Sequence, residues 1–246
     1  MVTPLERTLR RQGNWLFRHR GWLPLLVVPV VGVAVLTGPV PELARSGWWQ
    51  AFCGALLVVG AAVRAWIVGR VPEGTSGRTT REQVAEALNT TGAYALMRHP
   101  LYVANALMWT AVLGRPAIWW VWLLGMMWFV LLYERIMLAE EAFLLERFRD
   151  EFRRWAEQTP AVLPCGDYRP AALPFSWRQV LRREYSTWLA ALTAFASVEA
   201  LLFWRWTGTP GLPTAWWYGL AVAALGALLL RLLKYRTRWL ERRTPQ

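Results

Sequence analysis

Cysteine, histidine and lysine are scarce in this 246-residue sequence. It has two cysteines, Cys53 and Cys165, two histidines, His19 and His99, and a single lysine among 28 basic residues. Two widely separated cysteines give no basis for a disulfide framework. The sequence also predicts no four-ligand zinc site and no other metal site.

Charged residues are scarce as well, and they lie in blocks between long uncharged runs. They make up 18% of the chain, below the roughly 25% typical of soluble domains, whereas 55% of the residues are hydrophobic and 18 are tryptophan. A net charge of +12 is compatible with nucleic-acid binding, but the apolar runs between the charges exclude that class. The sequence predicts an integral membrane protein surrounded by the lipid bilayer.

Six apolar runs are candidates for membrane-spanning helices. A helix needs about 20 residues to cross the hydrocarbon core, and the third run is shorter than that. Gly114, Arg115 and Pro116 separate the third run from the fourth, so these two runs predict a tight helical hairpin. The predicted fold is an all-α polytopic membrane bundle of about six transmembrane helices, over residues 21–40, 47–68, 100–114, 116–133, 186–204 and 206–230.

The distribution of basic residues predicts the orientation of this bundle. Connecting segments on one side carry 24 of the 28 Lys and Arg residues, three arginines lie on the other side, and Arg64 lies within a span. By the positive-inside rule, both termini and the segments 69–99 and 134–185 are cytoplasmic. The first run lacks the cleavage pattern of a signal peptide, so it is predicted to be a retained span.

Only the cytoplasmic side offers enough chain for a site, and residues 92–102 are the first of two fragments of interest there. Pro100 biases His99 towards an extended conformation and suits the first turn of the third span. The free backbone N–H groups of that turn, with Arg98 and His99 beside them, predict an anion site. An arginine reaching lipid headgroups and a histidine capping a helix explain the same residues equally well.

The second fragment continues the fourth span into water. Apolar residues recur at helical spacing from Met137 to Trp155, and Glu141 falls within that apolar face. A carboxylate there is costly unless it is paired, and ionisable groups at membrane depth are functional candidates. Glu140 lies about 100° around the helix and is predicted to support Glu141. An ordinary solvated glutamate is the alternative for Glu140.

The two fragments belong to one ordered pattern. It consists of Gly92-x-Tyr94-x3-Arg98-His99-Pro100-x-Tyr102, a helical hairpin, Glu140-Glu141, Phe148-Arg-Asp-Glu-Phe152-x2-Trp155 and Thr159-Pro160-x3-Pro164. This pattern, over residues 92–164, resembles the core of the isoprenylcysteine carboxyl methyltransferase family, whose wider superfamily includes the phospholipid N-methyltransferases. The resemblance implies a membrane methyltransferase that binds S-adenosylmethionine on the cytoplasmic side. It implies that one wall of the cofactor site comes from Tyr94, His99, Pro100 and Tyr102, and the other from Glu140 and Glu141.

Three features depart from the family pattern. Phe152 and Trp155 stand where tyrosines are common, and Arg149 stands near a common glycine. The family core ends near Pro164, but this chain continues for 82 residues, and the segment 69–89 has no counterpart. We therefore divide the chain into three regions. The N-terminal membrane region, 1–91, has two spans and an interfacial loop with a short helix over 81–88. The methyltransferase core, 92–164, and a C-terminal extension with two further spans, 165–246, follow it.

The predicted acceptor is an amphiphilic lipid or lipidated molecule with an anionic group. Arg64, Arg98 and Arg135 lie near the cytoplasmic ends of their spans, and guanidinium groups suit carboxylate and phosphate. Arg135, supported by Arg98, is the predicted catalytic contact with the acceptor, although snorkelling or pairing explains Arg135 and Arg64 equally well. An isoprenylcysteine-like carboxylate or a lipid phosphate, lipid A-type phosphates included, therefore ranks ahead of a phospholipid amine. The arginine-rich composition favours a bacterial inner membrane.

Three alternatives stay open at this point. A phospholipid N-methyltransferase acts on an amine and would use a general base. An NADPH-dependent sterol-type reductase shares an element like Arg98-His99-Pro100-x-Tyr102, but gives no reason for Glu140-Glu141. The third alternative is a non-enzymatic membrane scaffold, in which both fragments serve only in packing within the protein.

Overall fold

The computed structural model describes residues 4–72 and 85–241, without the side chains of residues 24 and 25. These ranges consist of helices and their connections, and no strand occurs within them. The helices are α1 Pro4–His19, α2 Val28–Thr37, α3 Gly47–Val68, α4 Ala93–Leu96, α5 Pro100–Gly114, α6 Trp119–Gln158, α7 Trp177–Thr207 and α8 Thr214–Arg236, with 3₁₀ turns at Leu23–Val27 and Glu42–Arg45.

Four helices, α3, α6, α7 and α8, are long and apolar enough to cross a membrane. Each contains most of one predicted span, which confirms the predicted all-helical polytopic membrane fold. The other two predicted spans are shorter apolar helices, because α2 has ten residues and α5 has 15. The run 21–40 is divided, since a 3₁₀ turn precedes α2 and the extended backbone of Gly38 ends it.

α5 and α6 form the predicted helical hairpin. α5 ends at Gly114, α6 begins at Trp119, and Ala117 between them has a φ of 56°. α6 continues beyond the predicted end of its span at residue 133 and includes both glutamates of the pattern. Its helical geometry is interrupted at Arg149, where φ is 46° and ψ is −113°.

The helix predicted over residues 81–88 does not form over residues 85–88. Residues 81–84 lie outside the described residues, and residues 85–88 are not helical. The Asn89 side chain accepts a hydrogen bond from Thr91 N at 3.4 Å. Such local side-chain bonds stabilise turns in competition with helices.

The described chain divides into two compact units, each made of discontinuous segments. The first unit comprises the described parts of 1–26, 70–103 and 127–174. The second comprises 27–69, 104–126 and the described part of 175–246. An aliphatic core with members from α2, α5, α6 and α7 lies within the second unit.

Two buried ion pairs connect helices of the second unit. Arg64 of α3 donates to both carboxylate oxygens of Glu184 in α7, at 2.7 and 3.0 Å, and to Asn105 Oδ1 in α5 at 2.7 Å. Arg115, in the α5–α6 turn, is 2% exposed and pairs with Glu199 of α7. The sequence places Arg115 in a connecting loop. Its side chain is nevertheless buried, because Glu199 compensates its charge.

In the first unit, α1 packs directly on α6. A Cβ atom on Gly13 would collide with the carbonyl oxygen of Arg135 and lie 2.8 Å from the Cβ atom of Ala139. Arg10 also pairs with Glu146 at 2.5 Å. Only glycine permits the backbones to approach this closely at position 13.

Candidate active site

Two backbone hydrogen bonds join the residues before α5 to the segment after α6. Arg98 N donates to Pro160 O at 2.8 Å, and His99 N donates to Ala161 O at 2.9 Å. Pro100 follows as the first residue of α5, a position that suits its fixed φ and missing N–H. The Arg-His-Pro and Thr-Pro parts of the sequence pattern therefore lie side by side.

The Arg98 guanidinium is engaged by acceptors of α6 and of the residue after it. Nε donates to Glu141 Oε1 at 2.8 Å, and Nη1 donates to the carbonyl oxygens of Ala156 and Thr159, both at 2.8 Å. Nη2 lies 3.5 Å from the second oxygen of Glu141. Arg98 thus orients Glu141 and satisfies carbonyl groups at the C-terminal end of α6.

Glu141 also contacts His99. His99 Nε2 lies 2.8 Å from Glu141 Oε1, and the His99 side chain is 6% exposed. Its other ring nitrogen, Nδ1, lies 3.8 Å from Glu140 Oε2. The hydrogen bond to an ionised Glu141 requires a proton on Nε2. The buried ring therefore lies within reach of both carboxylates.

Glu140 is held by Tyr102 and is not an ordinary solvated glutamate. Tyr102 Oη donates to Glu140 Oε1 at 2.7 Å, and its ring stacks on His99 with the centroids 5.7 Å apart. Tyr133 packs against Tyr102 with a centroid distance of 4.8 Å. The side chains of Glu140 and Glu141 are 26% and 24% exposed. We call the side chains of Arg98, His99, Tyr102, Glu140 and Glu141 the glutamate network. It presents two oriented carboxylates that solvent or a ligand reaches in part.

The aromatic residues that depart from the family pattern are buried in the same unit. Phe152 and Trp155 pack edge to face with their centroids 5.8 Å apart. Trp155 Nε1 donates to the carbonyl oxygen of Tyr94 at 3.2 Å. These contacts place the predicted site residue Tyr94 beside the C-terminal part of α6.

Arg135 does not join the glutamate network. Its Nε lies 3.3 Å from Gln12 Oε1 in α1, and Nη1 donates to Leu131 O at 3.0 Å. Glu134 is 3.5 Å from Nη1 and is itself mostly exposed. A spacing of six residues puts Arg135 and Glu141 on different faces of α6. The described contacts therefore turn Arg135 towards α1.

The start of α5 does not present the predicted row of free backbone N–H groups. Tyr102 N and Val103 N both donate to His99 O, at 3.1 and 3.4 Å. Arg98, the cation predicted beside them, pairs with Glu141. The anion site is therefore not formed in the predicted way, because the His99 carbonyl satisfies the amides and a carboxylate neutralises the arginine.

Arg20 is a further cation in the neighbourhood of the two glutamates, although the sequence pattern does not indicate it. It is close enough to Tyr102 and Glu140 to interact with both electrostatically. Its guanidinium carbon also lies 3.8 Å from the centroid of the Phe17 ring. No motif signals Arg20, because it comes from the segment after α1 and is far from the motif residues in sequence. Within residues 4–72 and 85–241, no group of three or more His, Cys, Asp or Glu side chains is arranged to hold a metal ion.

Comparisons with known proteins give one family and two relatives. The family model described as phospholipid methyltransferase matches residues 48–151, a range that includes the whole of the network from Arg98 to Glu141. The chain is similar to the nickel-cobalt-cadmium resistance protein NccN of Alcaligenes xylosoxydans xylosoxydans, with 35% identity over 159 residues, 61% of this chain and 67% of the relative. It is also similar to the cobalt-zinc-cadmium resistance protein CzcN of Cupriavidus metallidurans, with 31% identity over 197 residues, 76% of each chain. No solved structure matches the chain.

Proposed function

The chain belongs to the phospholipid methyltransferase family of integral membrane methyltransferases, and from this premise we propose that it methylates an amphiphilic acceptor with S-adenosylmethionine as the donor. The observation that carries the proposal is the pair Glu140 and Glu141. Tyr102 holds one carboxylate and Arg98 with His99 holds the other. The partners come from a separate motif, so the two parts of the sequence pattern meet around two partly exposed carboxylates.

The chemistry of these residues fits the proposed cofactor. S-adenosylmethionine supplies a methyl group on a sulfonium, and it also carries an ammonium, a carboxylate and two ribose hydroxyls. Partly exposed carboxylates form charge-assisted hydrogen bonds with ammonium and hydroxyl donors, and we assign this role to Glu140 and Glu141. Arg20, beside Glu140, is the cation that we assign to the carboxylate of the cofactor. Tyr94 and Pro100 complete the wall on the side of the α5 start.

The remaining residues of the network orient these groups. Arg98 stabilises the ionised form of Glu141 through a charge-assisted hydrogen bond, and it fixes the end of α6 through two carbonyls. His99 and Tyr102 stack and each donates to a glutamate. Methyl transfer is an in-line displacement, so rigid alignment in a site with little water contributes most of the acceleration.

We further propose that the acceptor is anionic and contacts Arg135, with Arg98 acting in support through Glu141. Arg135 uses Nε and Nη1 in its contacts with neighbouring residues. This leaves Nη2 for a carboxylate or phosphate oxygen. The lipid tail of the acceptor lies between helices in the bilayer. The site and both termini lie on the cytoplasmic side of a bacterial inner membrane.

Binding of labelled S-adenosylmethionine in detergent tests the cofactor assignment. His99→Ala and Glu141→Gln each remove a hydrogen bond to a charged group, so each is expected to lower affinity roughly 10- to 100-fold. Glu157→Gln, an exposed position on the same helix, is the matched control and should bind as the wild type does. Wild-type affinity in both site variants, or binding of NADPH in place of S-adenosylmethionine, would contradict the proposal.

Lipid mass spectrometry tests the class of acceptor. Membranes with and without the protein are compared for lipids that gain the mass of one methylene group. An anionic acceptor predicts that the gain occurs on a phosphate or carboxylate and removes a negative charge. A gain on an amine nitrogen would support the N-methyltransferase alternative instead.

A further inference from the structure

A cleft of about 720 Å³ lies between α1 and α6 in the first unit. It is lined on one side by a stripe of α1 that includes Arg11, Gln12 and Trp15, and on the other by α6 from Trp128 to Arg135. None of its lining residues is acidic. Arg11 and Arg135 therefore give the lining of the cleft a net positive charge.

Three hydrogen-bond donors at this cleft lack acceptors among the described residues. Trp128 Nε1 is buried and has no hydrogen-bond partner. Arg11 takes part in no hydrogen bond or ion pair with another residue of the ranges 4–72 and 85–241. Arg135 uses Nε and Nη1, but not Nη2, in its contacts with Gln12, Leu131 and Glu134. A buried N–H without an acceptor is rare and costly, so the Trp128 indole indicates a ligand that carries an acceptor. The exposed Arg11 and the partly exposed Arg135 beside it favour an anionic ligand.

Most of the remaining lining is apolar, beside the polar Thr8 and Gln12, and part of it is exposed. Leu16, Leu131 and Leu132 line the cleft, and the side chains of Trp15 and Leu131 are exposed. A water-soluble anion would gain nothing from these walls. A lipid buries its acyl chain against them while its head reaches the arginines.

The walls of the cleft are fixed in place. The backbone contact at Gly13 sets the distance between α1 and α6 next to Arg135. The ion pair of Arg10 and Glu146 holds α1 at a second point. A preformed site loses less entropy when its ligand binds.

We infer that this cleft binds the phosphate head of an anionic membrane lipid, with Arg11, Arg135 and the Trp128 indole as its contacts. Two guanidinium groups and one indole N–H match the several oxygens of a phosphate monoester. The identification of that lipid as the methyl acceptor rests on the proposed function. The lipid site itself rests only on the geometry and charge of the cleft.

Lipid retention measured by native mass spectrometry tests the inference. Delipidated protein in detergent is titrated with phosphatidic acid or with phosphatidylcholine that has the same acyl chains, without S-adenosylmethionine. The wild type should retain phosphatidic acid at least about 10-fold more tightly, since a hydrogen bond to a charged group contributes about this factor. Arg11→Gln should remove most of this preference. Trp128→Phe, which keeps an aromatic ring but removes the N–H, should weaken it roughly 3- to 10-fold.

Arg18→Gln is the matched control. Arg18 lies on α1, is exposed and does not line the cleft. Its hydrogen bond is a local one, from Nε to Asn14 O. This variant should keep the wild-type preference. Equal retention of the two lipids by the wild type, or wild-type preference in both Arg11→Gln and Trp128→Phe, would overturn the inference.

Cofactor binding by the same preparations separates this inference from the proposed function. Neither Arg11 nor Trp128 is part of the glutamate network, so both variants should bind S-adenosylmethionine as the wild type does. Selective lipid retention without any cofactor binding would contradict the proposed function and leave the cleft supported. Cofactor binding without lipid selectivity would contradict the lipid site and leave the proposed function supported.

Discussion

Arg149 occupies a backbone conformation that suits glycine. Its φ of 46° and ψ of −113° lie in a region that is accessible to glycine and strained for a residue with a Cβ atom. The family that the sequence pattern resembles commonly has a glycine near this position. The break in α6 therefore lies at a residue whose Cβ atom makes this conformation costly.

Arg149→Gly should stabilise the protein by about 1–2 kcal/mol, because it removes the strain of a residue held outside the allowed regions. Thermal unfolding in detergent, followed by circular dichroism, measures the effect as a rise in Tm. Arg153→Gly is the control of opposite sign. Arg153 is exposed within the helical part of α6, so glycine there should cost about 1 kcal/mol. A lower Tm for Arg149→Gly would show that the arginine makes contacts that outweigh the strain.

At the residue scale, the sequence indicates which residues are candidates for the site but not which partners they have. Glu141 was identifiable because a carboxylate on an apolar helical face needs compensation. Its partner Arg98 was identifiable as part of a motif, but the sequence did not show whether Arg98 faces Glu141, a ligand or a lipid headgroup, since guanidinium suits all three. Arg20 was not identifiable as a site residue, because only folding brings it beside Glu140.

At the scale of elements, the packing of α1 on α6 depends on one glycine. Gly13→Ala adds a Cβ atom that collides with the Arg135 carbonyl oxygen, although alanine is the better helix former by about 1 kcal/mol. The variant should therefore loosen α1, and hydrogen–deuterium exchange should become faster across Pro4–His19. Gly21→Ala is the control, because a Cβ atom there meets nothing within 4 Å. Unchanged exchange in Gly13→Ala would contradict the close packing.

The C-terminal extension is joined to earlier helices by buried charge. Glu184→Gln removes the buried carboxylate that pairs with the mostly buried Arg64 guanidinium, and should destabilise the protein by about 3–5 kcal/mol. Arg64→Met combined with Glu184→Met removes both charges and should recover most of that loss. Thermal unfolding of the single and double variants measures the difference. A double variant no more stable than Glu184→Gln would exclude unpaired charge as the cause.

Hydropathy predicted the positions of the helical segments better than the lengths of the helices. The runs for α3, α7 and α8 were found because each contains an apolar window of 18 residues, close to the length that crosses the hydrocarbon core. The hairpin was found because glycine and proline mark its turn. The length of α2 was not predictable, since the same apolar residues form a 3₁₀ turn before it. The inclusion of the C-terminal spans in a unit with α3 was also missed, because Glu184 and Glu199 have partners that are remote in sequence.

For the whole molecule, the sharpest expectation concerns the side of the membrane on which each connection lies. Of the 28 Lys and Arg residues, 24 lie in the segments predicted to be cytoplasmic. By the positive-inside rule this asymmetry predicts the orientation, and the proposed cofactor, which is made in the cytosol, would have to reach the glutamate network from that side. The two arguments are independent and agree, because the network belongs to segments on the basic side.

The two native cysteines make this topology directly testable. Cys165 is exposed, follows the network segment and is predicted to be cytoplasmic, whereas Cys53 is buried within α3. A membrane-impermeant maleimide added to intact cells should therefore leave the protein unlabelled, and should label Cys165 once the cells are permeabilised. Thr209→Cys places a thiol in the exposed turn between α7 and α8, on the opposite side, and should react in intact cells. Labelling of Cys165 from outside, with protection at position 209, would mean that the bundle is inserted in the reverse orientation and that the glutamate network faces away from the cytosolic cofactor.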